Sequence, residues 1–239
     1  MTFSAVLVIL LFSMVQSVIG VGILLFGTPT LLLMGYNYQE TLLMILPSSI
    51  LISFLQAINS PKFLYDTKYI YIYTLPMVVF GLLFVTLSYD YINVKYIIGI
   101  MLILIGLIRS VPKIKQYLKA LFIKHIVLYH ILMGGVHGIS NMGGGMLVVF
   151  MSTIHNNREI ILTNIAYTYL LFGAVQMITL VLFSQESINL DAILLAIASM
   201  VVYMIVKIVI IKKVTDLKFN SLITLLIFVY GALSLINLG

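Results

Sequence analysis

Formal charges fall at wide intervals along this chain and divide it into long apolar runs. No Asp, Glu, Lys or Arg stands between Glu40 and Lys62, between Lys68 and Asp90, or between Glu159 and Glu186. Each interval has room for a helix of about 20 residues, the length that crosses a hydrocarbon core. Tyr91 to Ser110, Leu190 to Ile211 and Phe219 to Leu238 read the same way, so the pattern predicts six transmembrane helices. Two more charge-free stretches, Met1 to Gln39 and His125 to Asn157, are each too long for one crossing and too short for two. Both hold glycine clusters.

Composition narrows the class. Of 239 residues 62% are hydrophobic and 8% charged, whereas soluble domains carry about 25% charged residues. Thirteen basic and seven acidic side chains cannot cover a soluble core of this size. A soluble enzyme, a nucleic-acid-binding domain and a disordered tail are excluded, which leaves an all-α polytopic membrane protein. The net charge of +6 then reports loop placement in the bilayer and no nucleic-acid partner. There is no Cys, hence no disulfide or thiolate chemistry. The first basic residue is Lys62, so residues 1–20 lack the basic start of a secretory signal and are expected to remain in the mature chain.

The two odd stretches resemble each other. Gly22 to Leu33 reads GILLFGTPTLLL and Gly138 to Val149 reads GISNMGGGMLVV, which aligns Gly22 with Gly138 and Gly27 with Gly143. Further on, Gln39 and Glu40 fall opposite Arg158 and Glu159, and Gln56 opposite Gln176. The expected organisation is a first membrane repeat over 1–110, a basic connecting loop over 111–124, and a second repeat over 125–239.

Charge placement orients the halves. If each odd stretch crosses once, the thirteen Lys and Arg split nearly evenly between the two sides. If each instead enters and returns as a broken or re-entrant hairpin followed by three transmembrane helices, only Lys95 faces outside. The second arrangement obeys the positive-inside tendency and makes the repeats inverted, an architecture found in transporters. It puts the basic loops 111–124 and 212–218 on the cytoplasmic face of the cell membrane.

The densest chemistry lies in His130 to Gly145, HILMGGVHGISNMGGG. Six glycines in this span are expected to unwind the helix and free backbone amides. Ahead of a helix start at Met146, successive amides form a concavity for an anion. Gly143, Gly144 and Gly145 are the strongest candidates, with Gly138, Ser140, Asn141 and His137 beside them. Gly22, Gly27 and Thr28 stand at the matching place in the first half, where Pro29 suits a helix start. The competing reading of such glycines is close helix packing, and it applies most to Gly134 and Gly135.

Ser48, Ser49, Gln16, Gln56 and Asn164 are polar residues within predicted spans. They either line a pathway or bond carbonyls of neighbouring helices. Glu40 and Glu159 start helices after Asn-containing turns, where a carboxylate complements the helix dipole, and read as caps. His130 and His137 share a helical face, but two histidines do not make a metal site, and no metal or cofactor is expected. The motifs of ATPases, hydrolases and intramembrane proteases are missing from the sequence, so it reads as a non-enzyme.

The paired Gly-rich hairpins at Gly20 to Met34 and Gly134 to Met151, each followed by a polar turn and a Ser- or Thr-bearing helix, resemble the sulfite exporter TauE/SafE family of membrane permeases. GISNMGGGMLVV is the strongest element of the resemblance, and Gly27-Thr28-Pro29 departs from it. Membership implies transport of sulfite, sulfonates or related small organosulfur anions without ATP.

An anion also suits the residues on their own chemistry. Glycine amides, helix starts and neutral Ser, Thr or Asn side chains can hold a small oxyanion with no buried Lys or Arg. An inside-negative potential drives each exported negative charge by about 2.3 kcal/mol per 100 mV, so export needs no coupling ion. Uptake would need one, with His130 and His137 as the only titrating candidates. Two rival classes use the same glycines differently: an anion channel as a filter, and a membrane scaffold or assembly protein for packing alone.

Overall fold

The computed structural model describes residues 1–58, 64, 67–88, 93–184, 189–209 and 216–236, which form helices and their connections with no strand among them. In the first half α1 (Phe3–Ile19) is capped by Thr2, whose hydroxyl accepts from the Ala5 amide at 3.3 Å. The helix ends at Gly20, which adopts a left-handed conformation with φ 77° and returns its N–H to the Gln16 carbonyl. After this break a π-helical turn (Ile23–Gly27) runs into the short α2 (Thr28–Leu33). Next comes α3 (Tyr38–Ile58), started by Asn37, whose side chain accepts from the Glu40 amide at 2.8 Å. One rod over Thr67–Leu87 comprises α4 (Thr67–Tyr69), a π-helical turn (Ile70–Thr74) and α5 (Leu75–Leu87), and is followed by α6 (Val94–Ser110).

The second half opens with α7 (Pro112–Lys124) and continues through α8 (Ile126–Ser140), α9 (Gly143–Ile154), α10 (Arg158–Phe183), α11 (Leu190–Val209) and α12 (Asp216–Ile236). Asn141 ends α8 in the left-handed region at φ 66°, the one non-glycine residue so placed among the described residues. Asn157 starts α10 by accepting from the Glu159 and Ile160 amides. The caps are therefore Asn37 and Asn157 and not Glu40 and Glu159, whose carboxylates lie in the first turn, where the helix dipole favours them.

Four of the described helices are long and apolar enough to cross a bilayer: Tyr38–Ile58, Thr67–Leu87, Arg158–Phe183 and Leu190–Ile208. A bent pair, Tyr117–Lys124 with Ile126–Ser140, makes a fifth if it counts as one span. Of the six expected crossings, α6 is shorter, at 17 residues, and α12 contributes the short apolar segment Thr224–Ile236. The two charge-free stretches each form two shorter helical segments joined at a break, α1 with the turn into α2, and α8 with α9.

Three further sequence expectations change. Within segment 111–124, expected to be a loop, Pro112–Lys124 is a helix. Gly134, Gly135 and Gly138 do not unwind α8, which stays helical through Ser140. The helix start expected at Met146 falls at Gly143. The expected basic segment 212–218 lies partly outside the described residues, as do Lys62, Asp90, Tyr91 and Glu186.

At the centre, α3 packs against α10 and α11, while α5 packs against α8 and α10. Outside these, α1 lies along α11 and α6 along α12. The two broken segments sit inside this frame, α9 against α6, α8 and α10, and α2 against α3 and α12. Large apolar side chains such as Phe80, Leu87, Leu182 and Ile208 are exposed on the rim, and polar ones such as Gln16, Ser48, Asn141 and Gln176 are buried in the middle. This inside-out distribution is that of a helical bundle in lipid.

Candidate site at the two helix breaks

The site is built from the residues that fill the gap between α8 and α9. Because Asn141 turns left-handed, α8 stops and its side chain projects into the bundle interior, where it is fully buried. Its Nδ2 donates to Thr28 Oγ1 at 2.9 Å, and its Oδ1 accepts from Gln176 Nε2 of α10 at 3.2 Å. Thr28 in turn donates to the Leu24 carbonyl at 2.7 Å, closing the π-helical turn of the first half. One continuous polar chain thus links the first broken segment, the second broken segment and α10.

Beyond the break α9 begins with three glycines. Ser140 Oγ accepts from the Met142 amide at 3.4 Å, and the Gly145 amide bonds the Met142 carbonyl at 3.0 Å. A helix's first-turn amides have no partner within the helix, so Gly143 and Gly144 present theirs at the break. The Tyr169 hydroxyl of α10 lies directly against Gly144, so close that a β-carbon there would overlap it. A β-carbon on Gly143 would overlap His137 and the Met133 carbonyl. These two glycines are small because side chains of α8 and α10 occupy the space over the helix start.

The side chains around this point are fully buried and polar. Among the described residues the Tyr169 hydroxyl, Gln176 Oε1 and both His137 ring nitrogens have no hydrogen-bond partner. His137 lies against Phe172 with ring centroids 4.1 Å apart, and the Gln176 side chain sits beside its ring outside hydrogen-bond geometry. A buried polar atom without a partner costs about 1–3 kcal/mol. Several such atoms gathered at one helix start are expensive to keep unless they serve a ligand. The donors available are two amides, a phenol and an imidazole, with no formal charge among them.

The predicted residues divide between this cluster and other places. Thr28, His137, Asn141, Gly143 and Gly144 come together here, and Ser140 caps the break. Gly145 faces Ile105 and Leu25, and Gly138 packs against the Val78 carbonyl of α5 while its own carbonyl accepts from Tyr38. Gly22 lies against the Phe12 carbonyl and the Gln16 amide, and Gly27 has no neighbour of this kind closer than 3.8 Å. Ser49 belongs to a separate buried cluster in the first half, where Gln16 Nε2 reaches Ser49 and Ser53 and Gln16 Oε1 accepts from the Ile23 amide. Ser48 bonds Ser199 of α11 at 3.1 Å, and Asn164 donates to the Ile160 carbonyl one turn earlier.

Two residues of the cluster were not among the sequence candidates. Gln176 was visible as a mid-span amide opposite Gln56, but nothing in its position along α10 indicates that it meets Asn141. Tyr169 carries no polar signal distinct from the other tyrosines.

The family model described as Sulfite exporter TauE/SafE matches residues 5–234 of the chain. No curated protein and no solved structure matches it.

Proposed function

Since the chain belongs to the sulfite exporter TauE/SafE family, a family of membrane transporters, we propose that it carries a small oxyanion, sulfite or an organosulfonate, across the cell membrane. The anion binds at the start of α9, between the Gly143 and Gly144 amides, Asn141, His137, Tyr169 and Gln176. The observation that carries this reading is the set of fully buried, unpartnered polar atoms at that helix start. A helix N-terminus attracts negative charge, and neutral donors hold an oxyanion without the tight grip of a buried cation. Release then stays fast. The protein performs no covalent chemistry.

Two inverted repeats, 1–110 and 125–239, give this site its setting, with the basic segments 111–124 and 212–218 cytoplasmic. The packing supports the repeat. Exchanging α1 with α8, α3 with α10, α5 with α11 and α6 with α12 turns each principal helix contact into another that exists. Under the same exchange α9 against α6 becomes α2 against α12, which also pack together. Pathways at the interface of such repeats are a recurrent transporter design, because only there is irregular backbone shielded from lipid.

Flux in proteoliposomes decides the matter. Sulfite and a short alkylsulfonate should move through the purified protein, and Gln176→Leu and Tyr169→Phe should each raise the concentration needed for half-maximal flux several-fold. Unchanged flux and selectivity in both variants, at equal inserted protein, would remove the site from this position.

A further inference from the structure

The chain turns by 95° between the last two turns of α7 and α8. If α8 enters the bilayer, α7 lies along its surface. The residues of α7 suit that position. At 3.6 residues per turn, Tyr117, Leu118, Leu121 and Phe122 fall within one arc of about 140°, with Lys124 on one flank and Lys119 on the other. Phe122 is buried, its ring 4.3 Å from Tyr129 of α8 and 5.5 Å from Phe150 of α9, which holds the inner side of α7 to the bundle. Tyr117 is 82% exposed and Leu121 is 47% exposed, so the outer part of the same arc has no protein against it.

The lysines have no acidic counterpart among the described residues. No Asp or Glu occurs anywhere from residue 91 to 158. Lys119 and Lys124 are exposed and make no ion pair among the described residues. Lys119 lies close enough to His155 for its charge to add to the effect of burial on that imidazole. An apolar arc flanked by cations meets its complement at a membrane interface that carries negative headgroups, where stems lie on acyl chains and ammonium groups reach phosphate.

We propose that α7 is an interfacial helix that binds anionic phospholipid headgroups through Lys119 and Lys124. Each basic residue held near such a surface contributes favourably and is screened by salt. The bound lipid would also touch the transport machinery, because α7 is clamped to Tyr129, and the Tyr129 hydroxyl donates to the Met146 carbonyl at 2.7 Å, one residue beyond the glycines. The proposal is independent of the anion site and is read without measuring flux.

The protein contains no Trp, so Tyr117→Trp supplies a single fluorophore on the exposed side of α7. The variant is reconstituted in phosphatidylcholine containing a fixed fraction of brominated phosphatidylglycerol or of brominated phosphatidylcholine. Stronger quenching by the brominated anionic lipid is expected, by roughly two-fold at low salt and less at high salt. Adding Lys119→Gln and Lys124→Gln should abolish the preference, Lys→Arg at both positions should keep it, and free inorganic phosphate should leave it unchanged. Equal quenching by the two lipids, a preference that survives the double Gln change, or one that free phosphate removes would each overturn the proposal.

Discussion

Asn141 Nδ2 donates to Thr28 Oγ1 at 2.9 Å, and this single bond joins the two helix breaks of the molecule across 113 residues of chain. Asn141 can do this because it occupies a left-handed position at the end of α8, where Asn is tolerated better than other side chains. The other atom of its amide accepts from Gln176, so one residue sets both the backbone turn and the polar contacts of the site.

Replacing Asn141 separates those two roles. Asn141→Gly keeps the left-handed turn and removes the bonds, whereas Asn141→Ala removes both the bonds and the conformational fit. The Ala variant should be less stable than the Gly variant by about 1 kcal/mol, read as a lower melting temperature in detergent. Both should show the same several-fold loss of anion affinity, each lost bond being worth about 0.5–1.5 kcal/mol. Equal melting temperatures would mean that the turn does not constrain this position.

A β-carbon at Gly144 would collide with the Tyr169 hydroxyl. Gly144→Ala is therefore expected to destabilise the protein by about 1–3 kcal/mol through overpacking and to abolish flux. Tyr169→Phe removes the oxygen atom that the collision involves, so the double variant should recover part of the stability. A double-mutant cycle with no coupling between the two positions would contradict this contact.

Gly22 and Gly27 should respond oppositely to alanine. A β-carbon on Gly22 would lie 2.6 Å from both the Phe12 carbonyl oxygen and the Gln16 amide nitrogen, backbone atoms that cannot move aside. At Gly27 the nearest neighbour is 3.8 Å away and the backbone is helical. Gly22→Ala should sharply reduce folded protein, while Gly27→Ala should be neutral or stabilise by up to about 1 kcal/mol. Recovery of folded protein after membrane extraction, followed by melting, reads both.

His155 lies between α9 and α10. Burial, with a smaller contribution from the Lys119 charge, holds its imidazole pKa below the ordinary value. The unfolded chain then binds more protons than the folded one in this range. His155 therefore contributes stability above the ordinary value near 6.5, and that contribution is lost as the pH falls toward the folded pKa. Lys119→Gln should raise the His155 titration midpoint, followed by NMR with labelled histidine. A midpoint that stays in place would show that Lys119 does not act on it.

The orientation of the halves is open to direct labelling, since there is no native Cys. Single Cys substitutions at Lys115 and Lys213 should both resist an impermeant thiol reagent added to intact cells. Labelling of the Lys213 position alone would replace the inverted arrangement with one of eight simple crossings.

Much about this molecule could be read from its linear order. The spacing of charges specified a membrane bundle, because a charged side chain in hydrocarbon is too costly to scatter at random. The glycine clusters marked both helix breaks, and GISNMGGGMLVV pointed to the family. Local order could not say what each glycine accommodates. Gly134 and Gly138 meet carbonyls of the Thr67–Leu87 rod, Gly143 meets α8 and Gly144 meets a tyrosine of α10, yet all four look alike along the chain. Nor could it say where each first helix stops: the left-handed ends of α1 and α8 fall at Gly20 and Asn141. The partnership of Asn141 with Thr28 and Gln176, and the placement of Tyr169 over α9, were decided by packing between helices. Helical periodicity places a residue on a face, but only the docking of α10 against α3, α5 and α9 determines which buried polar atoms find each other.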